Sequence, residues 1–210
     1  MKDTIAFTYN PYLYFESYKN VLENLRKHYE DSDVFIYFDS NREDIEKYKS
    51  IANDYNCFFI VRDGIMGYMN RNDSHDINKP KMIEWFNRIV DTVKTTNSKW
   101  VLSLEDDVII KRKILNFPKT NVGTCRNYFR PGGGSIFDKN KLLESIKNIN
   151  VSDMIDTIPN ANWAGDVLLQ TIFQNNDATF EEWLELAEPE YRDNIDHAIY
   201  HGYKDLHKLG

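Results

Sequence analysis

The sequence predicts an α/β fold built on a mixed, mostly parallel sheet flanked by helices. Three observations carry that prediction. Strand-like runs alternate with helical periodicity through the first half of the chain, as parallel strands joined by crossover helices require. The strands of that half end in polar residues, where open α/β sheets hold their ligands. The chain has 210 residues, 41% apolar and 28% charged, enough for one core, and reads as a single domain over 1–210.

Ile5 to Tyr9 reads as the first strand, stopped by Pro11. A helix from about Tyr12 to Tyr29 follows, with Tyr14, Tyr18, Val21, Leu22, Leu25 and Tyr29 at helical spacing. DVFIYF (Asp33 to Phe38) is the second strand and ends at Asp39. Ser40 and Glu43 have the spacing of a capping box opening the next helix, whose apolar face is Ile45, Tyr48, Ile51, Ala52 and Tyr55. CFFIV (Cys57 to Val61) is the third strand. The stretch from Ile65 to Asn78 is long and irregular, which marks it as functional or mobile. A helix from about Pro80 to Thr95 leads to the fourth strand, WVLSL, which runs into Glu105, Asp106 and Asp107 before apolar residues resume at Val108.

The second half is less regular. Asn121 to Arg130 reads as a strand, followed by PGGGS and a short apolar piece at Ile136 and Phe137. A helix carries Leu142, Leu143, Ile146 and Ile149. NWAG is a turn, and Asp166 starts another helix. Thr179 and Glu182 have the spacing to cap an acidic helix, TFEEWLELAE. The tail, HAIYHGYKDLHKLG, holds three of the five histidines. The expected division is a nucleotide-binding half over about 1–107 and an acceptor-binding, metal-completing half over about 108–210.

A net charge of −7 argues against a nucleic-acid surface. Cys57 and Cys125 lack metal-ligand spacing and read as free thiols in a reducing compartment. No apolar run approaches the ~20 residues of a membrane span, and the first residues carry no secretory signature. The expectation is a soluble cytoplasmic protein or a soluble domain of a longer one. The aromatic content of 14% supplies flat rings for stacking on bases or sugars, although most will be core.

Three acids between two apolar runs either face water at a strand end or need partners, because an unpaired carboxylate near a core costs several kcal/mol. A hard divalent cation is the natural one. If the strand persists, alternation puts Glu105 and Asp107 on one face and Asp106 on the other. In the tail, His201 can complete a metal shell, Gly202 permits close backbone approach, and Lys204 can meet a phosphate oxygen. Asp166 can cap its helix, contact a sugar hydroxyl or act as a base. The PGGG loop lacks the Gly-Lys-Ser/Thr ending of a phosphate loop and reads as a close-approach surface or a turn. Lys111, Arg112 and Lys113 read as a solvated face.

These residues together resemble the GT-A (Rossmann-like) glycosyltransferases. WVLSLEDDV is similar to the acidic DxD-type motif of that family, in a Glu-Asp-Asp form. FTYN on the first strand, the Gly165-Asp166 helix start and the late His-Gly-x-Lys extend the likeness over most of the chain. The tail is similar to the signature of glycogenin-like retaining members, with shorter spacing. The size and absent leader look like the small glycosyltransferase domains of chlorella viruses that build capsid glycans. The resemblance implies a UDP-sugar donor, a glycan or glycoprotein acceptor, and Mn²⁺, with Mg²⁺ as the substitute. It implies metal contacts from Glu105, Asp107 and His201, with Glu105 alternatively on the ribose. Asp106 would lie near the ribose or donor sugar, Thr8 and Tyr9 at the uracil, and Asp39 and Arg62 close to the base. Lys204 would grip the diphosphate, and Asp166 would face donor and acceptor. The Glu-Asp-Asp form leaves open which acids ligate, and the short tail leaves His197 and His207 beside His201. The alternatives are a sugar nucleotidyltransferase and a non-catalytic sugar- or nucleotide-binding domain. The first is disfavoured by FTYNP where a Gly-rich loop would stand. The expected location is the cytoplasm, the host's if the chain is viral.

Overall fold

Strand β1 (Ile5–Tyr9) is buried along its whole length, and the first half of the chain is built around it. A computed structural model describes residues 4–12, 14–63, 73–125, 131–159, 164–188 and 196–202. β1 pairs in parallel with β2 (Val34–Asp39) on one side and β4 (Trp100–Leu104) on the other. β3 (Phe58–Arg62) adds in parallel outside β2. Beyond β4 the direction reverses. β7 (Ile136–Asp138) is antiparallel to β4 and to β6 (Val122–Thr124), and β8 (Phe180–Glu182) lies parallel to β6. The result is one seven-stranded, mostly parallel sheet of order β3-β2-β1-β4-β7-β6-β8.

Helices cover both faces, which is why the central strands are apolar throughout and do not alternate. α1 (Phe15–His28) and α2 (Ile45–Asp54) pack Val21, Leu22, Leu25, Tyr48 and Ala52 against Ile5, Phe7, Val34 and Ile36. On the other face α3 (His75–Thr95), α4 (Lys139–Ser145), α5 (Val151–Asp156) and α6 (Gly165–Gln174) pack around Val101, Val122 and Phe137. Each fully buried Leu or Phe in these layers contributes about 1.5–3 kcal/mol. Among the described residues no helix is long and apolar enough to cross a membrane.

A second sheet of three strands matters most for the site. β5 (Val108–Ile110) pairs antiparallel with β10 (Ile199–His201), and β10 pairs in parallel with β9 (Leu186–Ala187). The tail therefore enters as a strand directly behind the acidic turn.

Four local expectations are corrected. Ser40 and Glu43 do not cap α2. That helix begins after Asp44, and the Ser40 N–H is still donated to the Arg62 carbonyl (3.0 Å), continuing the β2–β3 ladder. α3 begins at His75, so Pro80 lies inside it, and residues 75–78 of the stretch read as irregular are helical; residues 65–72 of that stretch lie outside the described residues. Thr179 to Glu182 form no capped helix. Thr179 exchanges backbone and side-chain bonds with Asn121 (3.0–3.3 Å), which draws Phe180–Glu182 into the sheet beside β6. Arg112 is no solvated charge: it donates to Glu185 Oε2 at 2.7 Å, and Glu185 is buried and also accepts from the Leu115 and Asn116 N–H groups. Helix α5, with Asn150 as its cap, was not anticipated. Of the predicted Asn121 to Arg130 strand, Val122–Thr124 is extended, and residues 126–130 lie outside the described residues.

Candidate metal and nucleotide site

The acids sit on a turn between two buried strands. β4 stops at Leu104, and the Val108 N–H returns to the Glu105 carbonyl (3.1 Å). The expected separation of the acids occurs, but the turn produces it and strand alternation does not. Asp106 points inward and is 2% exposed. Its Oδ1 accepts from the Tyr9 hydroxyl (2.6 Å) and its Oδ2 from the Tyr12 N–H (2.8 Å). Glu105 and Asp107 point the other way, toward the tail strand.

Strand pairing brings the histidine to them. His201 is the register partner of Val108, and the Gly202 N–H donates to the Asp107 carbonyl (3.1 Å). His201 Nε2 then lies 3.5 Å from Glu105 Oε2 and 3.5 Å from Asp107 Oδ1. One ligand atom from each of the three residues lies within 4.8 Å of the others. Two carboxylates and an imidazole so placed can share one ion at about 2.0–2.6 Å from each. The mixture of oxygen and nitrogen donors suits Mn²⁺, with Mg²⁺ tolerating it less well. His201 Nδ1 faces Glu188 Oε1 at 3.2 Å.

The electrostatics follow from this packing. Burial works against a charged His201, but hydrogen bonds to Glu105 and Glu188 and the charges of Glu105 and Asp107 outweigh it, holding the imidazole up to about 10. Burial likewise opposes a charged Glu105, and His201 with the Gly133 N–H overcomes it, so this carboxyl sits below its ordinary value. Glu188 is also lowered, first by its hydrogen bond to His201.

The glycine loop closes over the cluster. Gly134 N–H donates to the Ser103 carbonyl (2.7 Å), and Ser103 N–H to the Ser135 carbonyl (3.0 Å), so the loop is stitched to the end of β4. A Cβ at Gly133 would stand 2.9 Å from Glu105 Cδ and 2.9 Å from His201 Nε2. Gly134 has φ +78°, a left-handed backbone that favours glycine. A Cβ at Gly132 would meet Asp166 Cβ at 3.6 Å and Glu105 Oε1 at 4.0 Å, so Asp166 and Glu105 flank this loop. Asp166 lies in the first turn of α6, after the cap position at Ala164, and its Oδ1 accepts from the Val167 N–H (2.9 Å). Gly165 lets α6 approach α3: a Cβ there would lie 2.5 Å from the Trp85 ring.

The remaining predicted positions are distributed around the carboxyl ends of β1 to β3. Thr8 and Tyr9 are fully buried. The Thr8 hydroxyl has no hydrogen-bond partner among the described residues, and that of Tyr9 is committed to Asp106. Asp39 Oδ1 pairs with Arg88 Nη2 at 2.5 Å, and Arg62 pairs with Asp91. His197 is buried beside Lys111 Nζ (3.2 Å) and is not part of the acid cluster. Lys204 and His207 lie outside the described residues. A cleft of about 880 Å³ opens between Asp63, at the end of β3, and Ile77, Lys79, Lys81 and Glu84 of α3; none of Glu105, Asp107 or His201 lines it.

Two residues of the site were not anticipated. Arg88 is 1% exposed and binds Asp39, Glu84 Oε1 (2.9 Å) and the Tyr37 carbonyl (3.4 Å), joining α3 to the end of β2. Its place between Trp85 and Thr92 on a buried helix face was a readable sign. Glu188, in the acidic segment read as helix, carried no such sign.

No protein-family model matches the sequence, and no curated protein matches it. Solved structures do. The chain is similar to the apo form of the glycosyltransferase GlyE of Streptococcus pneumoniae TIGR4, with a TM-score of 0.59 and 14% identity over 95% of this chain. It spans 54% of that chain, about half its length. It is similar to the galactosyltransferase LgtC, solved with donor and acceptor sugar analogues, with a TM-score of 0.57 and 12% identity over 93% of this chain and 86% of that one. A cytidylyltransferase from Leptospira borgpetersenii serovar Hardjo-bovis follows, with a TM-score of 0.50 and 13% identity over 86% of this chain and 75% of that one. At 12–14% identity these likenesses are of architecture, and the architecture is the GT-A-like fold of the two glycosyltransferases.

Proposed function

We propose that this chain is a metal-dependent glycosyltransferase. It moves a hexose or deoxyhexose from a UDP-sugar to a glycan or protein-linked glycan, with retention of anomeric configuration. The observation that supports this most is the convergence of Glu105, Asp107 and His201 at the carboxyl end of β4, within a fold that glycosyltransferases share. Within this reading residues 1–107 bind the nucleotide and 108–210 complete the metal and acceptor sites of one domain. The chain then falls beside the glycogenin-like retaining members and the small viral glycosyltransferase domains.

In the reaction the bond from the anomeric carbon to the β-phosphate oxygen breaks. A bond from an acceptor hydroxyl oxygen to that carbon forms, and the hydroxyl proton passes to the departing diphosphate oxygen. A bound divalent cation supplies positive charge where the departing diphosphate becomes more negative. Glu105, Asp107 and His201 are the residues that would hold it. Lys204 meets the diphosphate as a second positive charge. Asp166, across Gly132 from Glu105, faces the donor sugar and acceptor. The glycine loop excludes bulk and lets the sugar approach the backbone. The Thr8, Tyr9, Asp39 and Arg62 region lines the base end.

The test is UDP release from a panel of UDP-sugars, with Mn²⁺ and with chelator, in wild type and Asp107→Ala. Turnover indifferent to both changes removes the reading. The cytidylyltransferase likeness supports one rival, nucleotidyl transfer from a nucleoside triphosphate, which releases pyrophosphate and no UDP.

A further inference from the structure

His201 is the hinge of the metal reading, and its orientation depends on a residue outside the ligand set. An imidazole can ligate through one nitrogen only if the ring is turned correctly and the proton sits on the other. In this structure Nε2 faces Glu105 and Asp107, and Nδ1 faces Glu188 Oε1 at 3.2 Å. Glu188 immediately follows β9, which pairs in parallel with β10, the strand carrying His201. Its carboxylate is held in turn by the Cys125 thiol, from the residue just after β6. The ring is thus gripped on the side away from the acids by a carboxylate that is itself anchored in the core. The side chains of Glu188 and His201 are 24% and 22% exposed, so the bond is partly withdrawn from water.

We infer that Glu188 is a positioning residue. It accepts the Nδ1–H of His201 and fixes the ring orientation and tautomer that leave Nε2 free for a divalent cation. The inference rests on the proposed metal site and adds to it a residue that touches neither cation nor donor. Carboxylates in such a position typically account for 10–100-fold in metal affinity.

The experiment is a Mn²⁺ titration of the whole chain, following free Mn²⁺ by its electron paramagnetic resonance signal. The proteins are wild type, Glu188→Ala, Glu188→Leu and Glu188→Gln. The alanine and leucine variants should bind 10–100-fold more weakly. Leucine fills the space, so a loss shared by both is not a packing defect. Glutamine keeps an acceptor oxygen and should recover much of the affinity. Variants that all bind like wild type overturn the inference and leave the metal site standing. A glutamine variant as weak as leucine also overturns it, because charge and not orientation would then be responsible. A wild type that does not take up Mn²⁺ removes the metal reading itself, and this inference with it.

Discussion

The Tyr9 hydroxyl donates to Asp106 Oδ1 across 2.6 Å, joining the end of the first strand to the middle of the acidic turn. Burial comes first, and Asp106 second, in raising the phenol well above its ordinary value, so Tyr9 stays a donor at any working pH. The three acids of the turn therefore divide their labour, one structural and two turned toward the histidine. Tyr9→Phe and Asp106→Ala should each lower stability in urea by about 1.5–3 kcal/mol, the usual worth of a hydrogen bond to a charged group. Because both remove the same bond, the double variant should cost clearly less than their sum. Additive losses would show that the bond contributes nothing.

Asp107→Ala should behave in the opposite way. It would remove one ligand of the proposed cation from a partly exposed side chain, so the unfolding midpoint in chelator should move little. The Mn²⁺-induced rise in melting temperature should shrink or vanish, since a ligand stabilises only as far as it binds the native state. UDP release should fall about a hundredfold, corresponding to roughly 3 kcal/mol of lost charge stabilisation.

The histidine also sets a pH dependence. Its folded-state value of about 10 lies above the ordinary 6.5. A group raised in this way contributes stability that is fully present below pH 6.5 and is lost as pH rises toward 10. In chelator, wild type should lose stability across that window relative to His201→Gln. With Mn²⁺ present the sign reverses, because the cation needs the neutral ring and binds better as pH rises. Parallel pH profiles for wild type and His201→Gln in chelator would refute this.

Two glycines should fail differently. Gly165→Ala puts a Cβ 2.5 Å from the Trp85 ring, between two packed helices. Overpacking of that kind costs about 1–3 kcal/mol and should appear as a lower melting temperature. Gly133→Ala meets Glu105 and His201, and Glu105, with 37% of its side chain exposed, can swing away. Stability in chelator should change little, while Mn²⁺ binding weakens.

Arg88→Met should be the most damaging single change. It leaves Asp39 and Glu84 without their guanidinium partner. Breaking a buried pair costs about 3–5 kcal/mol. Asp39 keeps 12% of its side chain exposed, which favours the lower end of that range. Adding Asp39→Asn should recover part of the loss, measured by urea unfolding.

The parallel half of the fold was legible because its strands and helices are separated by clean changes of period, as in DVFIYF before the Ile45, Tyr48, Ala52 face. The acid turn and His201 were legible as chemistry, since three carboxylates between apolar runs and a His-Gly pair are conspicuous types. Elements decided by distant pairing were not. Thr179 and Glu182 satisfy the local pattern of a helix start, but Asn121 takes up Thr179 from 58 residues away. The same holds for Ser40, tied to the Arg62 carbonyl, and for Glu188, whose place depends on two strands meeting. Asp39 and Arg62 were placed close to the base by the family resemblance; each also has an ion-pair partner on α3, which no local window contains.

The third residue of the cluster, His201, arrives on β10, the last strand among the described residues. On a ribosome the acids at 105 and 107 emerge long before residue 201, and β5 waits without its antiparallel neighbour until then. If the proposed site takes up a cation, that capture would be a late event in biogenesis, waiting on the strand that carries His201.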